Sequence, residues 1–315
     1  MTRFTPSFFS RTRLIAALLA SHIASALWIL APTPVHAANV GMGSGKSAIG
    51  NYLAGRHAQA EKDLGSAVTF FSAALKVLPD VPDLLRQTFV LMIIEGHIAE
   101  ALPLAERLLD QNVKSPIANL ALLVDAIKNG NADQQMVRLQ SQPPTGLNGF
   151  AMPVLEAWSQ VGVGNAAAGL KTLMALDGKE ASQGLHDMHR ALILDYAGQS
   201  EEAETTYAKL ANDQEQQNFR FTQLLGNLLE RIDKADEARA LYDSFATENP
   251  GTMLLAPLYA RLDTGIKPKP IVATAIDGAA EAIFNIANSL RQQRAPETAM
   301  VLGRLALWLK PKFPI

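Results

Sequence analysis

Glycine recurs at a fixed interval near the middle of this chain. Four glycines lie at regular intervals of 34 residues, at Gly96, Gly130, Gly164 and Gly198. The sequences after the first and the last of them also agree, because alanine stands five residues further on in both. Self-similarity at a period of roughly 20 to 50 residues is typical of small supersecondary units that stack side by side. The interval therefore predicts a repeat architecture rather than one globular core.

Other segments repeat a related order of small, large and proline residues. Small residues allow two helices to approach closely, a larger residue fills the gap to the next pair, and proline ends the second helix. The positions in this order are Gly55, Ala67, Phe71, Ala74 and Pro79, then Gly226, Ala238, Tyr242 and Pro250, then Ala287, Ala299, Gly303, Ala306 and Pro311. The glycines at 96 and 198 are expected to adopt the left-handed backbone conformation that ends a first helix.

These residues resemble the tetratricopeptide repeat (TPR), in which Trp-x2-Leu-Gly-x2-Tyr is followed by Ala-x3-Phe and a closing Pro within about 34 residues. The resemblance implies an all-α fold, a right-handed α-solenoid of antiparallel helix pairs. In the third unit Gln135 takes the place of the signature alanine. The predicted units are 48–81, 82–115, 116–149, 150–183, 184–218, 219–252 and 280–313.

The patterns divide the chain into five parts. These are a signal peptide (1–37), a flexible Gly/Ser linker (38–47), six TPR-like repeats (48–252), an extra helix with a proline-containing insertion (253–279) and a seventh, uncapped TPR-like repeat (280–315). A solenoid needs a terminal cap with a polar outer face, whereas Leu302, Leu305 and Trp308 would be poorly covered in the last unit. We expect either that the natural array continues beyond Ile315, which we favour, or that another chain caps it.

The N-terminus has the layout of a secretory signal peptide. Basic residues precede an apolar stretch from Leu14 to Leu30, and the small residues that end at Ala37 suit a signal peptidase. We expect cleavage after Ala37 and a periplasmic location in a bacterial cell envelope. The alternative is an uncleaved membrane anchor, although seventeen residues are near the short limit for spanning a bilayer. The chain contains no cysteine, so neither a lipidated cysteine nor a disulfide is expected.

The linker contains a partial nucleotide-binding motif. Gly45-Lys46-Ser47 matches the second half of a P-loop, whose first glycine should lie five residues before Gly45, where the chain has Val40. A P-loop also follows a buried strand, whereas Pro32 and Pro34 precede this stretch. A P-loop enzyme using Gly45-Lys46-Ser47 is therefore the alternative to the favoured interpretation as a flexible linker.

Charge and composition argue against several other functions. After cleavage at Ala37 the chain would carry 25 basic and 30 acidic residues, whereas nucleic-acid binding needs a clustered basic face. His186 and His189 lie three residues apart on one predicted helical face, but a closed zinc site needs two further ligands. We therefore expect no metal, no cofactor and no catalytic residues.

The remaining hypothesis is a non-enzymatic scaffold for protein–protein interaction. Solenoids bind peptides or proteins in a groove lined by the first helix of each pair. The mixture of arginines and apolar residues in the predicted groove suggests an amphipathic or acidic partner, in the assembly or export of envelope components. The groove-facing residues predicted from the repeat register are Tyr52, Arg56, Arg86, Lys128, Tyr196, Asn227, Arg231, Phe284, Asn288 and Arg291.

Overall fold

The computed structural model describes residues 45–140, 146–178, 180–211 and 218–313, and all regular secondary structure in these ranges is helical. The predicted signal peptide and most of the predicted linker lie outside the described residues. Within the described ranges no helix is both long enough and apolar enough to cross a membrane. The helices are α1 (Ala48–Ala60), α2 (Leu64–Val77), α3 (Pro82–Glu95), α4 (Ile98–Asp110), α5 (Pro116–Lys128), α6 (Ala132–Gln140), α7 (Leu147–Gly162), α8 (Ala166–Leu173), α9 (Glu180–Tyr196), α10 (Ser200–Ala211), α11 (Phe219–Arg231), α12 (Ala235–Glu248), α13 (Ala256–Thr264), α14 (Ala275–Gln292) and α15 (Pro296–Leu309).

The turn inside each helix pair explains the 34-residue interval. All four of the regularly spaced glycines have positive φ angles, between 74° and 88°. Each lies at the end of the first helix of a pair. There, a residue in the left-handed conformation lets the following backbone N–H groups bond to the last carbonyl groups of the helix. The prediction for the glycines at 96 and 198 is confirmed. Three pairs place Lys62, Asp233 or Arg294 in the same left-handed conformation, with φ angles of 62° to 66°.

Six antiparallel helix pairs follow one another from α1 to α12, and each pair packs against the next. The predicted close approaches are present. A Cβ atom at Gly55 would lie 2.8 Å from the Phe71 ring, and one at Gly226 would lie 2.3 Å from the Tyr242 hydroxyl oxygen. Because only glycine leaves room for these rings, the two helices of the first pair and those of the sixth pair lie in direct backbone-to-ring contact. The chain therefore forms an all-α solenoid of helix pairs.

The last two helices do not form an uncapped seventh repeat. We call α14 and α15 the C-terminal hairpin. Its helices pack against each other, while α14 also lies against α7 and α9, and α15 against α3 and α5. Leu302 and Leu305, which were expected to be poorly covered, are fully buried, and Trp308 is half-buried. The sequence pattern predicted a local helix pair correctly but could not show which surface the pair would contact.

The segment between α13 and α14 carries the chain to this position. Residues 265–274 are not helical, as Pro268 and Pro270 require. Asn227 of α11 donates a hydrogen bond from Nδ2 to the Lys269 carbonyl at 3.0 Å, and Lys267 pairs with Asp233 at 2.6 Å. These contacts hold the segment along α11. Helix α14 then begins with a capping box formed by Thr274 and Asp277, five residues before the predicted boundary at 280.

Candidate functional site

The first helices of the second to sixth pairs surround the C-terminal hairpin. We call their surface toward it the inner face, formed by α3, α5, α7, α9 and α11. At its centre is the buried indole of Trp158 on α7, which donates from Nε1 to Nδ1 of His189 at 3.0 Å. Gly278 of α14 lies directly on this indole, because a Cβ atom there would be 2.3 Å from three ring carbons. The inner face is thus shaped to receive a helix with a small residue at this point.

A buried ion pair joins the hairpin to α11. Arg220 is 8% exposed and Glu281 of α14 is 0% exposed. Arg220 donates from Nε to Oε2 of Glu281 at 3.1 Å and makes a second, shorter bond from Nη2 to Oε1. The same guanidinium donates to Gln223 of its own helix at 3.0 Å. The bidentate geometry fixes the orientation of both charged groups.

Polar contacts to α15 occur at the other end of the inner face. Trp308 donates from Nε1 to Oδ1 of Asp125 at 3.0 Å, and Lys128 Nζ lies 3.4 Å from the centroid of the Trp308 ring. Arg304 donates from Nε to the carbonyl of Ile94 at 2.7 Å. These bonds connect α15 to the C-terminal parts of α3 and α5.

Six of the ten predicted groove residues are engaged within the chain or belong to the hairpin. Lys128 contacts Trp308, as described above. Asn227 is buried and bonded to Lys269, while Arg231 pairs with Asp195 at 2.5 Å. Phe284, Asn288 and Arg291 do not line the groove, because they lie on α14, which itself occupies the inner face.

The other four predicted residues lie closer to solvent. Arg56 is exposed and bonds to the half-buried Tyr52 at 3.2 Å. Arg86 is exposed and pairs with Asp83 of its own helix. Tyr196 is 40% exposed and meets Trp158 edge-on, with ring centroids 6.2 Å apart. The accessible part of the predicted site is therefore formed by Arg56, Arg86 and Tyr196, with Tyr52 beside Arg56.

Of the partial P-loop the structure describes only residues 45–47, and the two histidines of the pair contact other side chains of the protein. Ser47 caps α1 by accepting a hydrogen bond from the Gly50 N–H, and Gly45 bonds to the Asn51 side chain at 2.9 Å. His186 bonds to Asp187 at 2.8 Å, beside a shallow cleft of about 470 Å³ between α9 and α10. Within the described ranges no group of three His, Cys, Asp or Glu side chains converges to hold a metal ion.

His189 is a structural residue of the inner face. Complete burial lowers the pKa of His189 to about 3. Since the indole N–H of Trp158 can only donate, Nδ1 of His189 must accept and therefore carries no proton. The ring is thus neutral at physiological pH, and it holds the Trp158 indole in place by accepting its hydrogen bond.

Acidification should weaken the fold through His189. In the unfolded chain a histidine takes up its proton near pH 6.5, whereas the buried ring does so only near pH 3. The unfolded state therefore binds more protons in this window, so stability is complete above about pH 6.5 and falls as the pH falls. We expect a loss of about 1 kcal/mol between pH 7 and 5.5, measured by urea denaturation.

His189→Gln should flatten this pH dependence. The matched control is His57→Gln, which removes an exposed histidine from α1. An equally steep pH dependence in wild type and His189→Gln would show that another group is responsible.

The fold and its inner face define the chain as a helical-repeat protein. No family model matches the sequence, and no curated protein matches it. Among solved structures it is similar to a chain of the complex titled "Structure of Naa15/Naa10 bound to HypK-THB", with a TM-score of 0.43 and 18% identity. The similarity covers 85% of this chain and 46% of that one, so this chain spans about half the length of its structural relative. The solenoid assignment rests on the helix pairs themselves.

Proposed function

We propose that this chain is a non-enzymatic, TPR-type scaffold that binds a protein or peptide partner in the bacterial cell envelope. The observation that carries the proposal is the inner face, which holds two helices by shape-matched and hydrogen-bonded contacts within the chain. A surface of this kind is how solenoids bind helical segments. The apolar stretch from Leu14 to Leu30 and the small residues before Ala38 support export and a periplasmic location.

Helix α1, the first helix of the first pair, carries an exposed stripe outside the inner face. Ile49 and Leu53 of α1 are 71% and 61% exposed. With Tyr52 and Arg56 they are spaced at i, i+3, i+4 and i+7, which places all four on one stripe of the helix. An apolar stripe with a guanidinium at its end suits an amphipathic helix that carries acidic residues.

The proposal predicts that charge reversal at this end prevents partner binding. The variant is Arg56→Glu with Arg86→Glu, and we expect at least about a tenfold loss of affinity, because like charges across an interface repel. The measurement is affinity capture from an envelope extract with the chain expressed from its own N-terminus, followed by titration of the captured protein. N-terminal sequencing of the exported chain should show Ala38 as its first residue.

The control carries the same charge change on second helices. Lys76→Glu with Lys171→Glu alters exposed lysines of α2 and α8, and this variant should retain the partner. Equal capture by wild type and both variants would place binding elsewhere, and capture of no protein by the wild-type chain would contradict the scaffold function.

A further inference from the structure

We infer that the C-terminal hairpin is an exchangeable occupant of the inner face, which a partner helix of matching chemistry replaces. That helix carries a small residue where Gly278 meets Trp158 and a carboxylate where Glu281 meets Arg220. The inference rests on the proposed scaffold function and describes the partner for the inner face. It makes the hairpin an autoinhibitory element rather than a permanent part of the core.

The attachment of the hairpin is the first argument. Its helices pack on each other, so they form a unit that can move together. This unit contacts the first helices of earlier pairs instead of extending the row of pairs beyond α12. The ten residues 265–274 that join it to α13 are not helical and contain two prolines. The six preceding pairs contact one another in sequence, and a stack of this kind is stabilised by neighbouring repeats.

The composition of the interface is the second argument. The buried side of α14 is made largely of small residues, including Gly278, Ala279 and Ala282, and contains a glutamate. Directional bonds to Arg220, Asp125 and Ile94 set the register of the hairpin. Interfaces between separable elements are more polar than a continuous core, and buried charges at such places favour specificity over stability.

Residues of the inner face also orient the two groups, Arg220 and Trp158, that contact the hairpin. Gln223 accepts a hydrogen bond from Arg220 within α11, and His189 accepts one from Trp158 between α9 and α7. Both recognition groups are therefore oriented by residues that do not belong to the hairpin. A surface that is oriented in advance loses less entropy when a new helix binds.

The test locks the hairpin in place. A Cβ atom at Gly162 of α7 would be 3.3 Å from the Cβ atom of Ala275 at the start of α14. This is close to the separation of about 3.5–4.5 Å found in disulfides. The chain has no cysteine of its own, so the full chain with Gly162→Cys and Ala275→Cys can form only this bridge within one molecule. The single variant Ala275→Cys is the matched control.

The probe is a fluorescent synthetic peptide of residues 274–313, which carries the chemistry of the hairpin. We expect saturable binding to wild type, to Ala275→Cys and to the reduced double variant, and at least a tenfold loss after oxidation. The same peptide with Glu281→Ala should bind at least tenfold more weakly to wild type, because it lacks the carboxylate that Arg220 receives.

Two results would overturn the inference. The first is no binding of the peptide to the reduced chain, together with amide exchange in α14 as slow as in α7, which would make the hairpin a permanent part of the core. The second is a stable dimer in which copies exchange hairpins, detected for the wild-type chain by light scattering and for the Gly162→Cys, Ala275→Cys double variant by an intermolecular disulfide. Neither result depends on the α1 stripe, so the capture experiment with Arg56→Glu and Arg86→Glu tests the scaffold function separately.

Discussion

Replacing Glu281 with alanine is expected to lower the free energy of unfolding by about 3–5 kcal/mol, because the substitution removes the carboxylate that faces a buried guanidinium. Glu281 is 0% exposed and Arg220 is 8% exposed, so neither charge is well solvated by water. The measurement is urea denaturation followed by circular dichroism at pH 7. Loss of the hairpin contact should also appear as faster amide exchange in α14.

Two further variants show whether burial is the cause. The double variant Arg220→Met with Glu281→Met should have a free energy of unfolding much closer to that of wild type than Arg220→Met or Glu281→Met alone. The reason is that well-packed apolar residues commonly replace a buried ion pair at little cost. Asp83→Ala removes a carboxylate from an exposed pair with Arg86 and should change stability by less than about 1 kcal/mol. A similar small effect of Glu281→Ala would mean that the Arg220–Glu281 pair is accessible to water in solution.

The second large effect is expected at Gly278. An alanine Cβ at this position would lie 2.3 Å from the ring of Trp158, which is buried and held by His189. We expect Gly278→Ala to destabilise the chain by about 2–3 kcal/mol, since overpacking outweighs the gain of about 1 kcal/mol that alanine brings to a helix. Thermal and urea denaturation measure the difference.

Gly303 provides a matched control within the same hairpin. It lies in the interior of α15, and a Cβ atom there would meet nothing within 4 Å. Gly303→Ala should therefore stabilise the chain by about 0.5–1 kcal/mol through helix propensity alone. Stabilisation by both substitutions would show that α14 does not press against Trp158.

Sequence reasoning predicted the helix pairs because their determinants are local. A residue in the left-handed conformation must end each first helix, and glycine does so at four regular positions. At Lys62, Asp233 and Arg294 the same conformation is adopted by other residues. Lysine and arginine carry no compositional signal for a turn, and a single aspartate among many does not mark one, so the continuation of the interval on both sides could not be read from the sequence.

The position of the C-terminal hairpin could not be predicted because it depends on contacts between distant residues. The repeat register placed Lys128, Asn227 and Arg231 on first helices, but it contained no information that the chain itself engages them. Gly278 falls in the predicted insertion and Trp158 in the fourth predicted repeat, and neither alone indicates that the two residues meet. The one signal in the sequence was Glu281, which stands between Ala280 and Ala282 on a predicted helix. A glutamate that is buried on such a helix requires a basic partner opposite it.

The Arg304–Ile94 bond also changes how this solenoid must fold. The two residues are 210 positions apart, and Trp308 and Asp125 are 183 apart. Open repeat arrays have mostly local contacts, so they nucleate anywhere and fray pair by pair. Here a long loop must close, at an entropic cost that grows with its length, before the last helices are buried. The hairpin thus raises the contact order of the chain, which slows the final folding step, the docking of α14 and α15 onto the inner face.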